Sequence, residues 1–303
     1  MQLTKNRYSP IPVILLLFSL VLTSCLDSSD SDQTVGNLFE EADRISDFNT
    51  FVDYLGDTGA AELDSTIAQG SQMTVIIPTN DAFDDLPSNL TDTLSSEEAR
   101  IEVLSYHILN ELVEPNNLEE TEDIQSMQGE YLYFELVSTN QGTSLNINDS
   151  ELLQGGILSA SNGYIYAVDQ VLFPDSYLDV TGLIAKRYQL NDLQDAIEDV
   201  AGLEEDLQNP NGEFTVFAPS DEALDGTSPT GNEIQYYILE EKLTSAEFSS
   251  QTYTTMSGDE LDVDVSGATI TINGEATVTT ADIEGINGVV HIIDTPLEAP
   301  SEE

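Results

Sequence analysis

Few side chains in this chain of 303 residues react at neutral pH: one cysteine, Cys25, and two histidines, His107 and His291. A single thiol builds neither a disulfide framework nor a thiolate metal cluster. Two histidines far apart in sequence make a poor start for a zinc site, which gathers three or four ligands. A serine nucleophile needs a general base beside it, and no Gly-x-Ser-x-Gly elbow occurs. Carboxylates are abundant, with 57 Asp and Glu against 7 Lys and Arg and a formal net charge of −50. Paired carboxylates can cleave glycosidic bonds. Among so many, some pair lies close by chance, so abundance selects no site. No EF-hand loop is present, which leaves weak surface uptake of divalent cations and neither a metal centre nor a cofactor. Gly155-Gly156 lacks the spacing and following Lys of a phosphate loop. Nucleic acid is excluded as a partner, because phosphate needs Lys or Arg to displace its counterions. The chain reads as non-enzymatic.

Cys25 stands in a particular context. Lys5 and Arg7 precede an apolar run from Val13 to Leu22, too short to span a bilayer. Leu22-Thr23-Ser24-Cys25 then resembles the lipobox of bacterial lipoproteins. That resemblance implies cleavage before Cys25, diacylglyceryl transfer to its thiol and acylation of the new amine. Several acyl chains on one residue hold a protein on a membrane where one chain would not. Residues 1–24 are therefore expected to be a signal peptide, and the chain to be exported and lipid-anchored. Residues 25–33 include Leu26-Asp27-Ser28-Ser29-Asp30-Ser31-Asp32, whose acidic, polar composition predicts a flexible tether. The segment is also similar to the acidic export signal of Bacteroidota lipoproteins, which leads to the outer face of the outer membrane; a plain tether explains it equally well.

The acids are spread along the chain rather than gathered in a tail. Such an excess of one sign repels itself in a compact state. At molar salt the Debye length falls to about 3 Å and screens the repulsion. The surface is thus expected to suit a halophile or marine organism, with an ordinary acidic exterior protein as the other reading.

The elements that position these residues come twice. Thr74-Val75-Ile76-Ile77-Pro78-Thr79-Asn80-Asp81-Ala82-Phe83 returns as Thr215-Val216-Phe217-Ala218-Pro219-Ser220-Asp221-Glu222-Ala223-Leu224. Met127 to Leu132 returns as Met256 to Leu261, and Asn162 to Asp169 as Asn287 to Asp294. Three blocks in one order predict two tandem copies, each long enough to bury its own core. In both, a β-branched run predicts a strand, Pro78 or Pro219 stops it, and Thr79 or Ser220 caps a helix with acids in its first turn. Apolar residues at helical spacing (Leu38, Ala42, Phe51, Leu55; Val180, Leu183, Leu193, Ile197) predict helices leading into each copy. A further helix is expected over Glu97–Leu109. Strands are expected over Tyr131–Val137, Ser144–Ile147, Gly156–Ala160 and Tyr164–Val171, with Asn162-Gly163 as a hairpin turn. In the second copy strands are expected over Glu260–Val265, Thr269–Ile272, Ala276–Thr280 and Val289–Ile293. The stretch from Pro219 to Tyr236 is 11 residues shorter than that from Pro78 to Tyr106, so the second copy should lack most of one helix.

These blocks resemble the hallmarks of the fasciclin (FAS1) domain. The first reads Thr-Val-Phe-Ala-Pro-Thr-Asn-x-Ala-Phe and matches Thr215 to Ala223 and Thr74 to Phe83. The second is Tyr106-His107. The third, Asn-Gly-Val-Val-His-x-Ile-Asp, is intact at Asn287 to Asp294 and looser at Asn162 to Asp169. The resemblance implies an α+β fold of two tandem domains, 34–174 and 175–299, each a β-wedge or sandwich flanked by helices, the second with a shortened helical region. It implies extracellular adhesion through a protein or polysaccharide partner. It also links the Tyr-His pair to adhesion and packing, which makes Tyr106 and His107 the binding candidates. A histidine beside Ile108 and Leu109 equally suits a buried, hydrogen-bonded core position. The second copy has Tyr236-Tyr237 there, and His291 stands where the first has Tyr166. The alternative is a cell-envelope lipoprotein that binds a small ligand or cation between its copies.

Overall fold

The computed structural model describes residues 35–57, 63, 66–68, 72–139 and 142–300. The signal segment 1–24, the tether 25–33 and with it Cys25 lie outside the described residues.

Each copy is built on one seven-stranded sheet. In the first these are β1 (Met73–Pro78), β2 (Ile108–Leu109), β3 (Thr121–Gln125), β4 (Tyr131–Thr139), β5 (Gly142–Ile147), β6 (Ser150–Ala160) and β7 (Gly163–Val168), in the order β2-β1-β7-β6-β5-β4-β3. The second has β8 (Phe214–Pro219), β9 (Ile238–Leu239), β10 (Gln251–Thr254), β11 (Glu260–Ser266), β12 (Thr269–Ile272), β13 (Ala276–Glu284) and β14 (Gly288–Ile293), and repeats that order as β10-β11-β12-β13-β14-β8-β9 read from the other edge. Isolated bridges Leu109↔Ser126 and Leu239↔Thr255 bring the two edges of each sheet together, so both curl into barrel-like closure.

The first hallmark makes the central strand. Every residue of β1 and of β8 is buried, as expected of a strand covered on both faces with a parallel neighbour. β1 pairs in parallel with β7 from Met73↔Gly163 to Pro78↔Val168, and β8 with β14 from Phe214↔Gly288 to Pro219↔Ile293. Alternation sends Val75 and Ile77 to the lead-in helices, against Leu38, Phe51 and Leu55, while Ile76 joins Leu132, Phe134, Ile147 and Tyr166 inside the curl. Beyond the proline the cap forms as expected: the Thr79 side chain accepts from the Ala82 N–H and the Ser220 side chain from the Ala223 N–H.

The third hallmark does more than turn a hairpin. Asn162 Oδ1 accepts from the Leu38 N–H while its Nδ2 donates to the Ile67 carbonyl; Asn287 makes the same bonds to Val180 and Leu207. Each asparagine thus holds the first helix of its copy. The glycine after it admits the backbone of the parallel strand, since a Cβ at Gly163 would lie 1.8 Å from the Met73 oxygen and one at Gly288 2.4 Å from that of Phe214.

Three expectations need correction. The helix predicted over Glu97–Leu109 ends at Tyr106, because Ile108 and Leu109 pair with Val75 and Thr74 as β2. The strand predicted from Gly156 begins at Ser150, with a register shift between Leu152 and Ile157 that accommodates Gly155-Gly156. The last strand of the first copy stops at Val168 rather than Val171. The 11 residues absent from the second copy are accounted for: the 6-residue helix Ser88–Thr93 has no counterpart there, the 10-residue helix Glu97–Tyr106 is matched by the 6-residue Gly231–Tyr236, and the 5-residue Asn80–Asp84 by the 4-residue Asp221–Leu224.

Replacing Gly163 by Ala should force β7 off β1 and cost more than about 2 kcal/mol of stability. Gly56→Ala, in the helix Asn49–Asp57 with nothing within 4 Å of the new Cβ, should be neutral or stabilise by up to about 1 kcal/mol. Urea unfolding of both variants checks this; equal midpoints would contradict the close-approach role of Gly163.

Candidate functional site

Tyr106 and His107 end the helix Glu97–Tyr106, and the structure buries both completely. Tyr106 donates its hydroxyl to the Tyr131 carbonyl at 2.8 Å and accepts from Asn148 Nδ2 at 3.2 Å. His107 Nδ1 donates to the Val103 carbonyl at 2.7 Å, and its Nε2 accepts from the Leu172 N–H at 3.0 Å. Both ring nitrogens are therefore engaged in the neutral form. Burial disfavours the charged ring and lowers its pKa to about 4.

The second copy reaches the same ends with the rings exchanged. Tyr236 donates to the Glu260 carbonyl and accepts from Asn273, as Tyr106 does with Tyr131 and Asn148. Tyr237 stands in the place of His107, with the main chain of Leu297, the counterpart of Leu172, acting on its hydroxyl. His291 Nε2 donates to the Leu243 carbonyl at 3.0 Å, and Tyr166 donates its hydroxyl to the equivalent Val113 carbonyl at 3.0 Å. One imidazole and one phenol thus occupy these two positions in each copy, in opposite assignment.

His291 also lies near a serine and an aspartate, but they are not wired for catalysis. Ser245 Oγ donates to Asp282 Oδ2, and the Asp282 N–H donates to His291 Nδ1. Neither imidazole nitrogen is left to take a proton from the serine. Burial again lowers the pKa of His291. Among the described residues no three His, Cys, Asp or Glu side chains are grouped to hold a metal ion.

Among the described residues, the largest concentration of buried charge lies where the two copies meet. Lys186 and Arg187 break the second copy's lead-in helices and are 2% and 4% exposed. Both bind the junction residue Asp175: Lys186 Nζ donates to Oδ1 at 2.6 Å and Arg187 Nη2 to Oδ2 at 2.5 Å. Main-chain carbonyls of Phe173 and Leu183 take further donors. The cations then rest on the first copy's rings, Lys186 Nζ 4.8 Å from the Tyr106 centroid and the Arg187 guanidinium 5.2 Å from that of Tyr133. Tyr188 donates to Asp123 at 2.9 Å, and Lys186 lies 3.6 Å from Glu130. Burial works against charge on Asp175, yet Arg187 and Lys186 outweigh it and hold the carboxyl below its ordinary range.

Tyr106, singled out from sequence, is thus in contact with the chain's own second copy. Asp175, Lys186 and Arg187 were missed. The available signal was scarcity: beyond the N-terminal Lys5 and Arg7 the chain has five basic residues, and two of them are adjacent between apolar helical runs. In a chain this acidic, such a pair belongs with a buried carboxylate.

The Fasciclin domain family model matches residues 46–174 and 188–299. Transforming growth factor-beta-induced protein ig-h3 of Sus scrofa is 27% identical over 296 residues, covering 90% of this chain and 39% of that protein. Cell surface glycolipoprotein MPB83 of Mycobacterium bovis is 32% identical over 106 residues, covering 35% of this chain and 45% of that protein. The chain thus spans less than half the length of either relative. A solved FAS1 domain pair from the insect cell adhesion molecule Fasciclin I aligns with a TM-score of 0.56 at 19% identity, over 84% of this chain and 97% of that one. It shares the fold. No helix of the described residues is long and apolar enough to cross a membrane.

Two outcomes follow from this geometry. A neutral buried histidine is destabilising wherever the unfolded chain takes up a proton that the folded one refuses. With a folded pKa near 4 for His107, its contribution is full above the ordinary value of about 6.5 and is lost as pH falls toward 4. His107→Tyr, which copies the second domain, should therefore gain on the wild type by on the order of 3 kcal/mol between pH 7 and pH 4 in parallel urea titrations. A pH-independent difference would refute the neutral assignment. Asp175→Asn leaves two buried cations without their shared anion and should cost about 3–5 kcal/mol. Calorimetry should then resolve two unfolding steps where the wild type shows one; unchanged melting would refute the coupling.

Proposed function

The chain belongs to the Fasciclin domain family, and from that premise we propose that it is a lipid-anchored adhesion module of the cell surface that acts by contact and not by catalysis. One observation carries this reading: the polar side chains of the hallmarks are spent on the chain's own backbone. Thr74 Oγ1 donates to the Glu111 carbonyl and accepts from the Val113 N–H, and Thr215 does the same with Glu241 and Leu243. Asn162, Asn287, His107, His291, Tyr106, Tyr166 and Tyr236 follow suit. What remains outside is surface.

The solved domain pair that shares this fold comes from a cell adhesion molecule, and one relative is named a cell surface glycolipoprotein. Both support placing the chain outside the cell. The lipobox-like Leu22-Thr23-Ser24-Cys25 supports an acylated Cys25 as the anchor, with residues 25–33 as tether, on the outer membrane of a bacterium. The partner class under this reading is a protein or polysaccharide of the surroundings.

Cells lacking the chain should aggregate or form biofilm less than the wild type. Cells making Cys25→Ala should release or mislocalise the protein and behave like the deletion. Protease applied to intact cells should shed the wild-type protein without lysis. Unchanged adhesion in the deletion strain, with no matrix polymer retained by the purified chain, would defeat this function.

A further inference from the structure

The copies diverge in side-chain volume at one place where their backbones agree. After β2 and β9 the chain passes a residue tied to the central-strand threonine, Val113 or Leu243, and five residues later reaches Leu118 or Phe248. It then enters the edge strand, whose buried residue is Ile124 or Tyr253. In the second copy rings occupy this place. Phe248, 7% exposed, has its centroid 5.7 Å from Phe217, 5.6 Å from Tyr253 and 5.4 Å from His291. The first copy puts aliphatic side chains at three of the four positions, with Tyr166 in the place of His291. There the surface holds a cavity of about 310 Å³, with Val113, Leu118 and Ile124 in its lining and the carboxylates Glu111, Glu114 and Glu122 around them.

We propose that this cavity binds a lysine or arginine side chain of a partner protein. Aliphatic side chains form the smaller part of the exposed lining, and the ionisable groups around them are carboxylates, which only accept. Among the described residues no three such carboxylates are grouped to hold a metal ion. A neutral sugar would need donors as well as acceptors. A cation on an aliphatic stem matches both parts, stem on the aliphatic side chains and head among the carboxylates. The volume is at the lower end of the roughly 300–1,000 Å³ of ligand pockets, which suits one side chain. Asn117 Nδ2 holds Glu114 at 2.7 Å and so fixes part of the rim. The second copy has Lys242, Thr244 and Gln251 where the first has Leu112, Glu114 and Glu122, and Phe248 within the stack, so the site belongs to the first copy alone.

This inference rests on the adhesive reading and names the chemistry of its partner. The test uses the chain with both copies and, as probe, Nα-acetyl-lysine amide against its uncharged analogue Nα-acetyl-norleucine amide. Methyl resonances of Val113, Leu118 and Ile124 should shift saturably with the lysine probe, with Kd on the order of millimolar, the scale for a ligand of about a dozen heavy atoms. The norleucine probe should bind at least about tenfold more weakly, the step that removing one ion pair of about 1.4 kcal/mol predicts. Leu118→Phe, which imports the second copy's own residue, should abolish the shifts, and Glu122→Gln should weaken them several-fold with the melting temperature unchanged. Equal response to both probes, lysine binding unaltered by Leu118→Phe and Glu122→Gln, or shifts spread over the acidic surface without saturation would each overturn the proposal. Adhesion that persists in a Leu118→Phe strain with the pocket blocked would remove this site and leave the adhesive function standing.

Discussion

The pairing of the first long strand of each copy with its last is the constraint on which the rest depends. β1 lies parallel to β7 and β8 to β14, so every other strand of a copy is threaded between two neighbours. Closing such long loops costs entropy before any contact repays it. A parallel pair also leaves its connections to return from the far end, where backbone groups must find partners without a hairpin. The hallmark residues sit where that demand is greatest. Thr74 and Thr215 hold the segment leaving the short strands β2 and β9, Asn162 and Asn287 hold the first helix, and Gly163 and Gly288 let the two central backbones meet. The repeat signature is thus a set of fasteners around one parallel ladder.

The exchanged rings show what such a fastener requires. His107 secures the chain after the last strand and Tyr237 takes its place in the second copy, while Tyr166 and His291 each secure the chain after the short strand. A neutral imidazole and a phenol can both fill these slots, because each offers a planar ring for packing and a polar atom at its rim. Charge is what the slots refuse: burial pushes the tyrosine hydroxyls up, Tyr237 to about 12, and the imidazoles down. The presence of histidine in a hallmark therefore carries no implication of acid–base chemistry here.

Much of this was legible in the sequence because it depends on local rules. Strand, proline and cap follow from β-branching, a missing donor and a short hydroxyl side chain. The missing helix of the second copy could be read from the interval between Pro219 and Tyr236. The two-residue strands β2 and β9 could not, since Ile108-Leu109 continues an apolar helical pattern and only the partner Val75 decides its conformation. Lys186 and Arg187 likewise read as a polar interruption, whereas their meaning depends on Tyr106, Tyr133 and Asp175 arriving from elsewhere.

The use of cations explains why the two copies have become unequal. Arg44 lies exposed beside Glu41. Arg100 and Lys242 donate to main-chain carbonyls of Leu94, Ser95 and Gly285, and Lys186 and Arg187 fill the junction. Most of the few cations thus serve internal bonds. The second copy supplies the junction's cations and the first supplies its rings and acids. At the position of Tyr133, which receives Arg187, the second copy has Asp262, an exposed residue bonded to Thr252. The first copy in turn keeps a hollow where the second has stacked rings. Duplication supplied one ladder and one set of fasteners twice. Occupying one end of one copy with the beginning of the other then relieved the two of identical constraints, and their remaining surfaces could diverge without disturbing either ladder.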